Sequence, residues 1–170
     1  LYKIDGWVWD DGENDAWSNW WGEPGTNIKN LDYDPTIAAT ANLTVYVTDN
    51  TGKIVGKTTV AADGTYSVAD LPAGAYKVTL SNDPALVIGS TPTAIPIQLP
   101  ATWSNTGTFT LAEGATGNGN SAFDIVISSR DVPGLDFGIE KAPTADPYSR
   151  VLPTAPIAGQ QIPLNGTWPS

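Results

Sequence analysis

The sequence contains no histidine, no cysteine and no methionine. Without imidazole or thiol it cannot build a Ser-His-Asp or Cys-His nucleophile, a thiolate zinc site, a redox dithiol or a disulfide. Any chemistry falls to carboxylates, Lys, Tyr, Ser or Thr, or to an oxygen-ligated metal. Bases are scarce as well: 8 Lys and Arg stand against 18 Asp and Glu, a formal charge of -10. That field repels nucleic acid and anionic lipid and attracts cations. No apolar run approaches the ~20 residues of a membrane helix, and no cationic-then-apolar leader is present. Nucleic-acid partners and membrane insertion are therefore not expected. With no methionine, Leu1 reads as a processed or internal end, and a leader or upstream domains are expected ahead of it.

Helical periodicity is also missing. In 170 residues with 17 Gly and 14 Pro, apolar positions alternate instead of recurring every three or four, and β-branched and aromatic residues fill the runs. The length suits one domain, or one domain with an extension. Leu1 to Trp9 reads as a first strand, with Tyr2, Ile4 and Val8 on one face and Trp7 and Trp9 on the other. In the next strand Leu43, Val45 and Val47 oppose Thr44, Tyr46 and Thr48. An Asp49-Asn50-Thr51-Gly52 turn leads to a strand over Lys53 to Val60, and Ala62-Asp63-Gly64-Thr65 supplies a tight reversal. Tyr66 and Val68 continue the inward face. After Pro72-Ala73-Gly74, Tyr76, Val78 and Leu80 alternate with Lys77 and Thr79. The pattern predicts successive antiparallel strands of a β-sandwich.

Further strands are expected at Thr108 to Leu111, Phe123 to Ser128 and Leu135 to Glu140. Between Asn82 and Gly107 the Pro/Thr/Ser-rich composition predicts a long, partly ordered excursion, with Ile95 to Leu99 a candidate edge strand because Pro96 disrupts a central ladder. From Ala142 onward Pro143, Pro147, Pro153, Pro156, Pro163 and Pro169 recur with almost no charge. This divides the chain into a domain at 1–141 and an extended Pro-rich tail at 142–170. The tail reads as a linker or strap, or as an arm that docks on a neighbour through Val151, Leu152, Ile157, Ile162, Leu164 and Trp168.

Residues 10–34 hold seven carboxylates and one base, Lys29. Asp11, Glu13 and Asp15 alternate, the Trp17 carbonyl and Asn19 continue the spacing, and Glu23 closes it. Hard oxygen ligands wrapped in this order approximate a Ca²⁺ loop, though Glu23 falls one place late, Ala16 replaces the usual glycine and no helices flank it. Asp10, Asp32 and Asp34 are in reach of the same cage or of a second one. A solvated acidic loop is the plainer alternative. Trp17, Trp20 and Trp21 share the segment, and bundled indoles beside carboxylates suit either the C–H face of a sugar or a small core that pins the loop. Asn42-Leu43-Thr44 and Asn165-Gly166-Thr167 match the N-glycosylation pattern.

Several segments, in order, resemble one known family. Gly6-Trp7-Val8-Trp9-Asp10 precedes the acidic loop and Gly22-Glu23-Pro24-Gly25; Leu43 to Asp49 with Gly52 follows. Thr58 to Val68, Leu71-Pro72-Ala73-Gly74-Ala75-Tyr76-Lys77-Val78 and Leu135-Asp136-Phe137-Gly138-Ile139 complete the series. Together they are similar to the B-type repeats of serine-aspartate-repeat surface adhesins, in the prealbumin-like, collagen-adhesin-B-like superfamily. The similarity spans about residues 4–140 and is dense at 4–25, 43–80 and 135–139. The resemblance implies a Greek-key, immunoglobulin- or prealbumin-like sandwich, secreted to the bacterial surface and often repeated in tandem. It also implies Ca²⁺ in the acidic loop, with Asp11, Glu13, Asp15, Asn19 and Glu23 at the family's metal positions. The inserts at 26–41 and 83–107, the tryptophan cluster and the tail after Lys141 depart from the family. Related members cross-link a first-strand Lys to a last-strand Asn; Lys3 is suitably placed, but the last strand offers Asp136, so no such bond is expected.

The function expected from these readings is a non-enzymatic, extracellular structural or adhesive module stiffened by Ca²⁺. Neighbouring domains or further copies are its partners, and a host or matrix protein or a polysaccharide its ligand. Two alternatives are a self-assembling, pilus-like filament subunit that donates its tail or a strand, and a carbohydrate-binding module using Trp17, Trp20 and Trp21. A carboxylate pair such as Asp10 and Glu23 mimics a glycosidase, but seven acids in one loop yield pairs by chance and no neighbouring group orients them, so no catalytic residue is expected.

Overall fold

The computed structural model describes residues 1–10, 42–119 and 121–141. Among these every regular element is a strand. They are β1 (Tyr2–Asp10), β2 (Thr44–Asp49), β3 (Ile54–Thr59), β4 (Thr65–Leu71), β5 (Gly74–Ser81), β6 (Trp103–Phe109), β7 (Ala115–Gly117), β8 (Ala122–Ile127) and β9 (Asp136–Lys141). Two sheets form, one in the order β4-β1-β9-β6 and one in the order β3-β2-β5-β8-β7. All pairs are antiparallel except β1 with β9, which run parallel. The architecture is all-β and sandwich-like, as the alternation predicted.

The two inner faces share one core. Ile4 and Val8 of β1, Val45 and Val47 of β2, Val78 and Leu80 of β5, and Phe123 and Ile125 of β8 belong to a single cluster with Phe137 and Ile139 of β9. Phe137 joins the sheets: its ring meets Phe123 edge-on at 5.0 Å and Tyr66 at 5.9 Å. Burying an aromatic or branched aliphatic side chain of this kind contributes about 1.5–3 kcal/mol.

Turn chemistry fixes the connections. Asp49 Oδ1 accepts from the Thr51 amide at 2.8 Å, the Thr51 hydroxyl at 2.6 Å and the Lys53 amide at 3.1 Å, while Gly52 takes φ 81°. Gly64 has φ 84°, and a Cβ there would stand 2.7 Å from the Val8 carbonyl oxygen, so both conformation and space demand glycine.

The structure corrects four details. The reversal at Ala62 to Thr65 carries the chain from one sheet to the other, so β4 pairs with β1 and not with β3. β3 and β4 instead face each other across the core, where a Cβ on Gly56 would overlap the Val68 side chain. The strand expected at Thr108 to Leu111 begins earlier, at Trp103, and ends at Phe109, leaving Leu111 87% exposed. A bulge between Asn105 and Gly107 breaks its alternation, which hid it. The three-residue β7 has too few positions to show a period.

The fourth correction concerns residues 82–100, where Ile95 to Leu99 forms no strand. The segment lies as a strap on the outer face of the five-stranded sheet. Tyr46 donates its hydroxyl to the Asp83 carbonyl at 2.5 Å, and Ser81 donates to the Pro96 carbonyl at 2.6 Å. The Lys57 ammonium donates to the Pro84 and Leu86 carbonyls above the Tyr46 ring. At the sheet edge Ile54 and the strap exchange backbone bonds through Ser90 and Gly89. The strap lies over Tyr46, which is buried although it is on the face away from the core, as are its neighbours Thr44 and Thr48.

Candidate functional site

The segment that carries most of the expected ligands leaves β1 in one sheet and re-enters at β2 in the other. Asp10 is the last residue of β1 and pairs with Ile139 of β9. Asp11, Glu13, Asp15, Trp17, Asn19, Glu23, Asp32 and Asp34 lie outside the described residues, as do Trp20, Trp21, Asn165 and the tail. The donor set they offer is carboxylate, amide and carbonyl oxygen, the chemistry that suits Ca²⁺. Among the described residues no group of three or more acids gathers that could hold a metal ion. Asn42 is exposed with φ 47°, while Thr44, the third residue of its glycosylation triplet, is buried.

The described residues do assemble a polar and aromatic surface, on the outer face of the four-stranded sheet. Because side chains alternate along a strand, Ile4 and Val8 fill the core while Lys3, Asp5, Trp7 and Trp9 form an outward row. The indoles of Trp7 and Trp9 stack, with centroids 5.2 Å apart and planes 19° from parallel. The Lys3 ammonium pairs with the Asp5 carboxylate at 3.0 Å in a partly exposed bridge, and that hydrogen bond and charge raise the lysine pKa. Lys3 thus faces solvent on the side away from the core.

Asp136 belongs to the same surface from β9. Its Oδ1 accepts the Trp7 backbone amide at 2.9 Å, and its carboxylate also accepts a hydrogen bond from the Trp9 side chain. Desolvation pushes its pKa up; these two donors oppose the shift and the Asp5 charge adds to it. Across the sheet, Trp7 stands opposite Thr65 and Asp5 opposite Ser67. Thr58 and Thr59 of β3 approach from the other sheet, and together they border an open groove of about 460 Å³.

The sequence placed Trp7 and Trp9 on the strand face opposite Tyr2, Ile4 and Val8 but did not group them with Lys3, Asp5 and Asp136. The alternation of four chemically active residues at every second position was the available signal. Asp136 was not recoverable in this role, because its approach depends on the parallel pairing of two strands more than a hundred residues apart. No protein-family model matches the chain, and no curated protein matches its sequence.

Proposed function

We propose that the chain is a non-enzymatic, extracellular structural or adhesive module of a bacterial surface protein, with a Greek-key, prealbumin-like topology and Ca²⁺ held by the acidic segment. The supporting observation is the position of that segment: its ends belong to different sheets, β1 in one and β2 in the other. A cation gathered by Asp11, Glu13, Asp15, Asn19 and Glu23 cross-braces the connection between the two layers. It also relieves the repulsion among seven closely spaced carboxylates. Because such a site does not exist in the unfolded chain, its binding free energy adds to folding stability.

The order of sequence motifs, from Gly6-Trp7-Val8-Trp9-Asp10 through Leu135-Asp136-Phe137-Gly138-Ile139, supports the surface-protein assignment. In this reading the module is a spacer or adhesive unit that contacts neighbouring domains or copies. Calorimetric titration of chelator-treated protein with CaCl₂ tests the metal. Saturable binding that weakens in Asp15→Ala supports the proposal, and absence of binding heat together with absence of competition against a fluorescent calcium chelator refutes it.

A further inference from the structure

Because β1 and β9 run parallel, the start of one and the end of the other lie at opposite poles of the sandwich. Val8, Trp9 and Asp10 stand beside Phe137, Gly138 and Ile139. At ~3.3 Å per residue, Tyr2 and Lys141 are therefore about 30 Å apart along the strand axis. Tension applied through these two residues pulls the strands past each other along their length. The hydrogen bonds between them run across that pull, so they are loaded in shear and share it instead of breaking one after another.

The parallel contact extends well beyond those paired residues. The Lys3 amide donates to Asp131 Oδ1 at 2.9 Å and the Val132 amide to the Lys3 carbonyl at 3.0 Å, beside a parallel bridge between Ile4 and Val132. Pro133 and Gly134 then interrupt the pairing, with Gly134 at φ 69°. Asp5 spans the gap: its carbonyl accepts the Leu135 amide at 3.0 Å and its Oδ1 the Gly134 amide at 3.3 Å. At the next rung Asp136 Oδ1 takes the Trp7 amide at 2.9 Å, and regular pairing follows from Val8. Carboxylates thus supply acceptors where the backbone ladder is incomplete, and residues 3–10 are joined to residues 131–139 along almost all of β1. On its other side β1 pairs with β4 from Tyr2 to Trp7.

We propose that the seam between β1 and residues 131–139 is a load-bearing clamp, which carries tension along the axis from Tyr2 to Lys141 in shear, with Asp131, Asp5 and Asp136 as its side-chain rungs. This deepens the structural-module reading and rests on it for the source of the tension, a neighbouring domain or copy in the same string. Asp131, Asp5 and Asp136 are not among the calcium ligands proposed above.

The chain has no cysteine, so pairs of introduced thiols give unique handles for optical tweezers on the full chain. Leu1→Cys with Lys141→Cys loads the seam in shear. Leu1→Cys with Ser129→Cys, two exposed positions at one pole, peels the same seam from its end. Forced unfolding follows the unfolding rate, and a rung lost before the transition state is worth about tenfold in that rate. At one constant force in EDTA, the wild-type background should survive longer in shear than in peeling, by at least about tenfold. Asp131→Ala and Asp136→Ala should each shorten the shear lifetime about tenfold. Tyr46→Phe, which loses a bond on the outer face of the other sheet, should lower the urea midpoint and leave the shear lifetime unchanged. Three results each overturn the proposal: a lifetime no longer in shear than in peeling, carboxylate variants that match the background in shear, or a Tyr46→Phe that shortens the shear lifetime as much as they do. Failure of the calcium reading, seen as absence of binding heat, leaves these outcomes in EDTA as they are.

Discussion

Gly6 and Leu135 approach so closely that a Cβ on the glycine would overlap the Leu135 carbonyl oxygen. The same carbonyl accepts the buried Tyr66 hydroxyl, and Leu135 returns its amide to the Asp5 carbonyl at 3.0 Å. One short segment ahead of β9 is therefore clamped by β1 and β4, and through it Phe137 is delivered to the core.

Gly6→Ala should force that segment away and cost about 2–4 kcal/mol, the range of severe backbone and packing lesions. Tyr66→Phe keeps the ring but leaves a buried carbonyl without its partner, a loss of about 1–3 kcal/mol. Urea denaturation midpoints of the two variants check both values, and the order Gly6→Ala below Tyr66→Phe below wild type is expected.

Asp136 gives a pH dependence of defined sign. Its folded-state pKa lies above the ordinary 3.8, so the native state holds the proton more tightly than the unfolded chain. The stability this provides is present below pH 3.8 and is lost as pH rises through the folded value. Asp49 and Asp63 run oppositely: their Thr51 and Thr65 partners hold their pKa values low, and their contribution is lost as pH falls through those values. Asp136→Asn, which keeps an acceptor for the Trp7 amide, should gain on wild type as pH rises from 3 to 6. Asp136→Ala removes the acceptor as well as the titrating group and should lie below Asp136→Asn by about 1–3 kcal/mol across that range. Chemical denaturation at stepped pH separates the two.

The strap over the five-stranded sheet should be separable from the core. Tyr46→Phe deletes its bond to Asp83, and Ser81→Ala its bond to Pro96; each loss should cost about 1 kcal/mol. In the double variant, limited proteolysis followed by mass spectrometry should show faster cleavage between residues 84 and 98. The amide-exchange protection of Val45 and Val78 should remain.

What the sequence revealed and what it concealed follow from the range of the interactions. β1, β2, β5, β8 and β9 were legible because a core on one side imposes a period of two on Ile4 and Val8, on Val45 and Val47, and on Phe123, Ile125 and Ile127. The Asp49 and Asp63 turns were legible because their hydrogen bonds are local. The assignment of β4 to the other sheet was not, since a tight reversal reads the same whether its strands pair or separate. β6 was hidden by its bulge. The strap was hidden because its carbonyls accept hydrogen bonds from distant Tyr46, Lys57 and Ser81, and backbone carbonyls leave no sequence signature. Trp7 and Trp9 were legible as sharing the face of β1 opposite Ile4 and Val8, but the arrival of Asp136 beside them depends on long-range strand pairing.

Thermal melting of the chain in saturating CaCl₂ and in EDTA is the most direct test of calcium bracing. Calcium at one hundred times its dissociation constant adds about 2.7 kcal/mol. For a domain of this size that is a rise of roughly 5–10 °C in Tm, with each kcal/mol worth about 2–4 °C. The account predicts this rise in wild type and its loss in Asp15→Ala. Coincident melting curves in calcium and chelator for the wild-type protein would contradict it.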